Sequence, residues 1–119
     1  MAQHNDLGKL GEEIAENFII EKGYQILQKN WKWDKAEIDF IAKNQEVLLF
    51  IEVKTRQNAT FGYPEDAVGK KKEKMIFEAA AAYMDSISHE QEIRFDILTV
   101  TMEPKSKIEY FADAFFPLW

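Results

Sequence analysis

The chain has no cysteine among its 119 residues and only two histidines, His4 and His89, far apart in sequence. The lack of cysteine excludes disulfide frameworks, cysteine-based zinc sites and cysteine nucleophiles. No apolar run approaches the ~20 residues of a membrane span. The first residues, Met1–Asp6, lack the basic and then apolar pattern of a signal peptide. We therefore expect a cytoplasmic protein that does not associate with membranes.

The composition also lacks the features of a disordered or repetitive chain. Hydrophobic residues make up 46%, aromatic residues 13% and charged residues 30% of the sequence, which suits one compact domain with a hydrophobic core. No internal repeat, low-complexity tract or linker is visible. We expect one domain over residues 1–119.

Positive charge is scarce, and the formal net charge is −6. This balance counts against non-specific nucleic-acid binding, which basic surfaces drive. The segment Lys54–Lys74 differs, because it has six basic and only three acidic residues. Such a segment could face a polyanion, or it could be the solvated, lysine-rich start of a helix.

Apolar periodicity predicts two helices. The first covers Leu7–Lys22, with Asn5 or Asp6 as its cap and Gly23 at its C-terminal end. The second covers Ala67–Met84 and contains four consecutive alanines, which are strong helix formers.

Apolar runs between and after these helices predict a sheet. Strands are expected over Tyr24–Leu27, Glu37–Ala42, Val47–Val53, Ile93–Val100 and Ile108–Phe111. A polar and aromatic stretch, Gln28–Lys35, follows the first strand, and a loop is expected over Thr55–Pro64. Four polar residues separate the second and third strands, which predicts an antiparallel hairpin. The order of elements indicates an α/β fold with a mixed sheet.

Charged side chains interrupt the two most apolar strands. Strand alternation places Glu37 and Asp39 on one face, and likewise Glu52 and Lys54. Because unpaired buried charge is costly, a hard cation such as Mg²⁺ would satisfy the carboxylates together with waters and phosphate. The lysine would add positive charge beside it, which suits hydrolysis of a phosphodiester. A structural ion pair between Glu52 and Lys54 is the alternative.

Asp39, followed 13 residues later by Glu52-Val53-Lys54, matches the PD-(D/E)xK pattern of nucleases. Further short motifs extend along almost the whole chain: Gly8-Lys9-Leu10-Gly11-Glu12, Gly23-Tyr24, Asn30, Glu37-Ile38-Asp39, Phe50–Arg56, Phe61-Gly62, Arg94-Phe95-Asp96 and Ala114-Phe115. This series resembles the YraN-like family of small bacterial proteins. That family is similar in turn to the archaeal Holliday junction resolvases and is predicted to be endonuclease-related.

The resemblance implies a restriction-endonuclease-like core, with a mixed central sheet flanked by helices. It implies that Asp39, Glu52 and Glu12 hold Mg²⁺ or Mn²⁺ and that Lys54 assists the attacking water or stabilises charge. We expect these four catalytic residues to converge in one shallow cleft. The family usually has glycine before the Glu-Ile-Asp motif, whereas this chain has Ala36, whose methyl group narrows the backbone freedom there.

Five basic residues are candidates for phosphate contacts: Arg56, Lys70, Lys71, Lys72 and Lys74. Arginine has a planar fork that suits phosphate, and the lysines open the second predicted helix, where backbone N–H groups favour phosphate. The alternative for Arg56 is pairing with a surface acid. The alternative for the lysines is a solvated helix face.

Two tryptophans, Trp31 and Trp33, flank Lys32. Such interleaving can stack on unpaired bases, although an aromatic lid over the core is an equally good interpretation. The leading hypothesis is a metal-dependent endonuclease, or nuclease-like protein, that acts on DNA, including branched or damaged DNA. A resolvase-like activity would need a homodimer. The alternative is a non-catalytic nucleic-acid-binding or adaptor protein that retains the nuclease fold, which the acidic balance favours.

Overall fold

The computed structural model describes residues 2–58 and 69–115, with side chains from Asp6 onward. The described elements are α1 (Ala2–Glu21), β1 (Gln25–Trp33), β2 (Ala36–Asn44), β3 (Val47–Arg56), α2 (Lys70–Ser86), β4 (Ile93–Thr101) and β5 (Lys107–Phe115). The strands form one sheet in chain order. Only β3 and β4 are parallel neighbours, because α2 lies between them in sequence and parallel strands need a long crossover.

These elements confirm the predicted fold class. The protein is an α/β structure in which a mixed five-stranded sheet lies between two helices, a restriction-endonuclease-like core. Neither described helix combines the length and the apolar character that crossing a membrane requires.

Each face of the sheet packs against one helix. The α2-side core includes Ile38, Ile41, Leu48, Phe50, Ile76, Phe77, Phe95, Ile97 and Phe115. The α1-side core comprises Ala15, Ile19, Phe40, Ala42, Leu49, Ile51, Leu98 and Val100. Because β3 and β4 contribute to both cores, their sequences are apolar on both faces, as the long apolar runs predict.

Helix α1 begins earlier than predicted and ends at Glu21, one residue before the predicted end. It starts at Ala2, so Asn5 and Asp6 lie within the helix and do not cap it. At the other end, Gly23 has a φ of 86°. Its N–H donates to the Ile20 carbonyl at 2.9 Å, and the next N–H donates to the Ile19 carbonyl at 3.2 Å. This pair of bonds is a Schellman ending, which requires the left-handed conformation that glycine adopts easily.

The first strand is longer than predicted. Strand β1 continues through the polar and aromatic stretch to Trp33, so the prediction that it ends at Leu27 was wrong. As an edge strand, β1 pairs only with β2, and most of its side chains are exposed. A solvated edge strand needs little apolar alternation, and this removes the usual sequence signal.

The remaining boundaries differ by smaller amounts. Strand β3 continues to Arg56, so the loop predicted to begin at Thr55 begins later. Strand β5 is longer at both ends than predicted and includes Phe115, which is buried against Phe95. Helix α2 starts at Lys70, and the first residues of its predicted range lie outside the described part of the chain. Residues 59–64 of the predicted loop lie outside it as well.

Candidate functional site

Strands β2 and β3 separate at the two predicted acids. Their ladder ends with Phe40 opposite Ile51, and the next residues on the two strands are Asp39 and Glu52. Beyond this point β2 continues to pair with β1, and β3 continues to pair with β4 as far as Arg56. The sheet therefore opens into a fork between two strands that are each held on their outer side.

Strict alternation fails at the same place. Ile38 belongs to the α2-side core, whereas Phe40, two residues later, belongs to the α1-side core. The backbone between them therefore turns the strand about its axis. Asp39 lies at this turn, and its Oδ2 accepts a hydrogen bond of 2.8 Å from the backbone N–H of Val53. This bond joins the two strands across the fork, in place of the ladder bond that is lost.

Glu52 is the more deeply buried acid, with 2% of its surface exposed. Its Oε2 lies 3.5 Å from Nζ of Lys72, near the start of α2. Its Oε1 is buried and has no hydrogen-bond partner within the described part of the chain. A buried carboxylate oxygen without a partner is unfavourable, so this position suits a ligand that brings positive charge or a donor.

Both acids have raised pKa values. Burial is the main cause for Asp39, and the negative charges of Glu12 and Glu37 add to it, so its pKa rises to about 6 although Val53 and Lys72 act in the opposite direction. Burial is also the main cause for Glu52, followed by the charge of Asp39, and its pKa rises to about 8. A cation placed between two carboxylates whose pKa values are raised stabilises their charged forms.

The acids line an open cavity of about 320 Å³, called the acid cavity below. Its walls are Lys35, Ala36, Glu37, Asp39, Glu52, Lys72, Met75 and Ile76. Asp39 and Glu52 contribute their carboxylates from the fork. Lys72, which also lines the cavity, forms an ion pair with Glu52. Glu37 is exposed, and its Oε2 lies 3.9 Å from Nζ of Lys32.

Glu12 approaches from the opposite helix. A close contact sets its position, because a Cβ atom on Gly11 would lie 2.7 Å from both Cβ and Cγ2 of Thr55. The glycine thus lets α1 lie directly on β3, and Glu12 comes near enough to raise the pKa of Asp39. It does not line the acid cavity. In the described residues, no three acidic or histidine side chains are grouped closely enough to hold a metal ion together.

The structure thus brings two of the four predicted catalytic residues into the cavity. Lys54 is half-buried two residues beyond Glu52, but it does not line the cavity and forms no ion pair with the described residues. Lys72, which the sequence suggests only as a phosphate contact, occupies the position expected for Lys54. Its pairing with Glu52 depends on how α2 docks, and no sequence signal marks it.

The other predicted phosphate contacts lie apart from the acids. Lys70, Lys71 and Lys74 are exposed on the first turns of α2. Arg56 already has partners, because its Nε donates to Thr101 at 3.1 Å and its guanidinium lies 4.0 Å from Glu109. The alternative of structural pairing therefore holds for Arg56 in this structure.

A second buried charge lies on the α1 side of the sheet and is structural. Asp96 is fully buried and accepts two hydrogen bonds of 2.9 Å from Arg94, one of 2.8 Å from the backbone of Asp113, and one from the Tyr110 hydroxyl. Burial and the Asp96 carboxylate raise the pKa of Tyr110 well above its usual value. Because every partner of Asp96 is supplied by the chain, this group holds β4 to β5.

The family model described as "Uncharacterised protein family UPF0102" matches residues 11–100, a stretch that contains the acids, Lys54 and Lys72. The chain belongs to this family. It is 48% identical over 117 residues to the UPF0102 protein of Flavobacterium psychrophilum, covering 98% of each chain. It is 45% identical to the UPF0102 protein of Phocaeicola vulgatus over the full length of both. The resemblance to the YraN-like family is thereby confirmed.

The acid pair fits a divalent cation in its chemistry. Carboxylate oxygens are the ligands that Mg²⁺ prefers, and Mg²⁺ is commonly bound by one or two carboxylates together with waters and substrate phosphates. Asp39 and Glu52 supply two such carboxylates, and the buried Oε1 of Glu52 has a coordination position to offer. The open cavity leaves room for the waters and the phosphate.

Proposed function

We propose that this protein is a metal-dependent endonuclease that acts on DNA, with Asp39 and Glu52 holding Mg²⁺ or Mn²⁺. One observation carries the proposal. Two carboxylates with raised pKa values meet at the strand fork, and one of their oxygens is buried without a partner in the described chain. A bound divalent cation would lower the pKa of a water and stabilise charge on the phosphate.

The residues around the pair have distinct tasks in this proposal. The Val53 N–H donates to Oδ2 of Asp39. This bond fixes the orientation of the whole carboxylate, including its other oxygen, Oδ1. The Lys72 ammonium compensates the negative charge of Glu52 while no metal ion is present. If Glu52 held a cation instead, the Lys72 ammonium would be free to donate to a phosphate oxygen at the mouth of the cavity.

Glu12 and Lys54 act at longer range. Glu12 adds negative charge beside Asp39 from the α1 side, and it would reach the site through water. Lys54 shares a strand face with Glu52 and would orient the attacking water from beyond the cavity wall. Phosphate contacts by Lys70, Lys71 and Lys74 would place the DNA along the start of α2, where helix N-terminal N–H groups also favour phosphate.

Incubation of the purified protein with Mn²⁺ or Mg²⁺ and linear, flapped and four-way DNA tests this proposal. We expect metal-dependent cutting by wild type. Glu52→Gln should abolish cutting and leave DNA affinity largely intact, because phosphate contacts supply the affinity. Asp85→Asn changes an exposed acid that does not line the acid cavity, and it should behave as wild type.

The alternative is a non-catalytic nucleic-acid-binding or adaptor protein. The ion pair between Lys72 and Glu52 favours it, because the pair partly neutralises the acid without a metal, and the net charge of −6 counts against efficient encounter with DNA. DNA binding by wild type without cutting of any substrate would support this alternative. The absence of both binding and cutting would contradict both functions.

A further inference from the structure

The two tryptophans of β1 lie in different environments. Trp31 is half-buried and packs edge-on against Tyr83 of α2, with 5.2 Å between the ring centroids. Trp33, at the end of the strand opposite Ala36, is 41% exposed. Of the pair, Trp31 is therefore part of the aromatic lid over the core, and Trp33 is the one accessible from solvent.

Trp33 lines a small surface depression of about 10 Å³, called the groove below, that borders the acid cavity. The groove is formed by Trp33, Asp34, Lys35, Ala36, Met75 and Glu78. Three of these residues, Lys35, Ala36 and Met75, also line the acid cavity. Along β2, the partner of Trp33 precedes Asp39 by three residues, which corresponds to about 10 Å. A ligand bound at the acids therefore has its neighbouring groups within reach of the indole.

The chemistry of the groove differs from that of the cavity. Trp33 and Met75 offer apolar surface, and Asp34 and Glu78 offer carboxylates. Those carboxylates repel phosphate, but they can accept hydrogen bonds from the amino groups of bases. Lys35 stands at the boundary between the two. The cavity thus suits a phosphate. The groove is too small to enclose a ring, so an uncharged ring with donor groups would lie on the exposed face of Trp33, with the groove carboxylates at its edge.

The backbone holds Trp33 in place before any ligand binds. The residue is the last of β1 and remains paired with β2, and the following turn has Asp34 in the left-handed region at a φ of 54°. Because the backbone at Trp33 is already ordered, ligand binding has no backbone ordering to compensate there.

We propose that Trp33 is a stacking site for an unpaired nucleobase adjacent to the phosphate held at the acid cavity, so that the substrate class is DNA with a single-stranded segment. This inference rests on the proposed function. Bases in a continuous duplex are already stacked, and a side chain can stack on them only after paying to separate them. Flaps, gaps and junctions offer unstacked bases without that cost.

Binding of labelled DNA, followed by anisotropy in EDTA, tests the inference separately from cleavage. The probes are a single-stranded oligonucleotide of mixed sequence and a duplex of the same length. Trp33→Leu keeps an apolar side chain over Met75 but removes the aromatic ring, and Trp33→Phe keeps a smaller ring. Ile87→Ala is the control, because Ile87 is an exposed apolar residue of similar exposure, 45%, at the other end of α2.

We expect Trp33→Leu to weaken single-strand binding by about tenfold, the scale of one base–aromatic stack. Duplex binding should be unchanged, and Trp33→Phe should retain most of the single-strand affinity. Ile87→Ala should match wild type on both probes. The inference is wrong if Trp33→Leu binds single strands as wild type does, or if it weakens duplex binding equally.

A cleavage assay on the same proteins separates the two proposals. Trp33-dependent single-strand binding without metal-dependent cutting would retain the stacking site and reject the nuclease. Metal-dependent cutting with no effect of Trp33→Leu on single strands would do the reverse. Wild type that binds neither probe in EDTA nor in Mn²⁺ would reject both.

Discussion

The backbone N–H of Val53 donates to Oδ2 of Asp39 at 2.8 Å, at the point where β2 and β3 separate. Beyond the last ladder pair, Phe40 and Ile51, this bond between backbone and side chain takes the place of a bond between the two backbones. It also holds the Asp39 carboxylate close to Glu52, because Glu52 is the residue before Val53 on β3. The fork and the acid pair are therefore one structural feature.

The first prediction concerns pH. Asp39 and Glu52 have pKa values of about 6 and about 8 in the fold, above their ordinary values of 3.8 and 4.5. The folded protein therefore binds more protons than the unfolded chain between about pH 4 and pH 8. In EDTA, the free energy of unfolding should fall as pH rises through this window, by at most ~1.4 kcal/mol per pH unit for each group.

The variant Glu52→Gln isolates the larger part of this effect. At acidic pH it should be about as stable as wild type, because Glu52 is then protonated, and above pH 8 it should be the more stable protein. Urea midpoints measured from pH 4.5 to pH 8.5 give the comparison. Parallel curves for the two proteins would show that Glu52 titrates normally.

A second prediction concerns Lys72. Its ammonium lies 3.5 Å from Glu52 Oε2 and has about half of its side chain exposed, so it competes with a cation for the same carboxylate. Lys72→Met should bind Mn²⁺ several-fold more tightly, a modest effect because solvent screens an exposed charge. Lys71→Met is the matched control, since Lys71 is an exposed neighbour that does not line the cavity. Equal affinities in the two variants would contradict a specific role for Lys72.

The third prediction concerns the approach of α1 to β3. Gly11→Ala would place a methyl group 2.7 Å from Thr55 Cβ, which forces the helix away from the strand and should cost about 1–3 kcal/mol of stability. Gly8 is three residues earlier on the same helix and has nothing within 4 Å of an added Cβ. Gly8→Ala should instead stabilise by about 0.5–1 kcal/mol. Denaturant unfolding of both variants provides the test, and similar shifts would contradict the close contact.

The fourth prediction concerns the buried charge on the α1 side. Asp96→Asn should destabilise the protein by about 1.5–3 kcal/mol, because the partly exposed Arg94 guanidinium loses its charged acceptor and the amide N–H of the new side chain would face donors that now bind the carboxylate. Tyr110→Phe removes one donor to the same carboxylate and should cost about 1–2 kcal/mol. Thermal unfolding measures both. An Asp96→Asn variant within 1 kcal/mol of wild type would show that the network contributes little.

Hairpin spacing was sufficient to place Asp39 beside Glu52, although strict strand alternation fails at Asp39. Both acids end apolar runs joined by a short turn, and such runs have few ways to pair. The docking of α1 and α2 is different, because it depends on contacts between elements far apart in sequence. For this reason the sequence did not show that Lys72 would lie at Glu52, nor that Lys54 would lie outside the cavity wall.

The bounds of the two edge strands were the other feature that the sequence predicted poorly. Strand β1 carries Gln28, Lys29 and Lys32 on an edge that faces water, so its composition resembles a loop. Strand β5, the other edge, extends beyond the predicted range Ile108–Phe111 to Lys107 at one end and, through the exposed residues Ala112 and Asp113, to the buried Phe115 at the other. Central strands are buried on both faces and therefore have continuous apolar sequences that identify them. Edge strands lack this signal.

Calorimetric titration of Mn²⁺ into the metal-free protein at pH 7.5 tests the central claim most directly. The acid pair should give one binding event in wild type, and Asp39→Asn and Glu52→Gln should each weaken it by at least about tenfold. Asp85→Asn should bind as wild type does. Equal binding by wild type and both acid variants, or no binding by wild type, would contradict a divalent-cation site at the fork between β2 and β3.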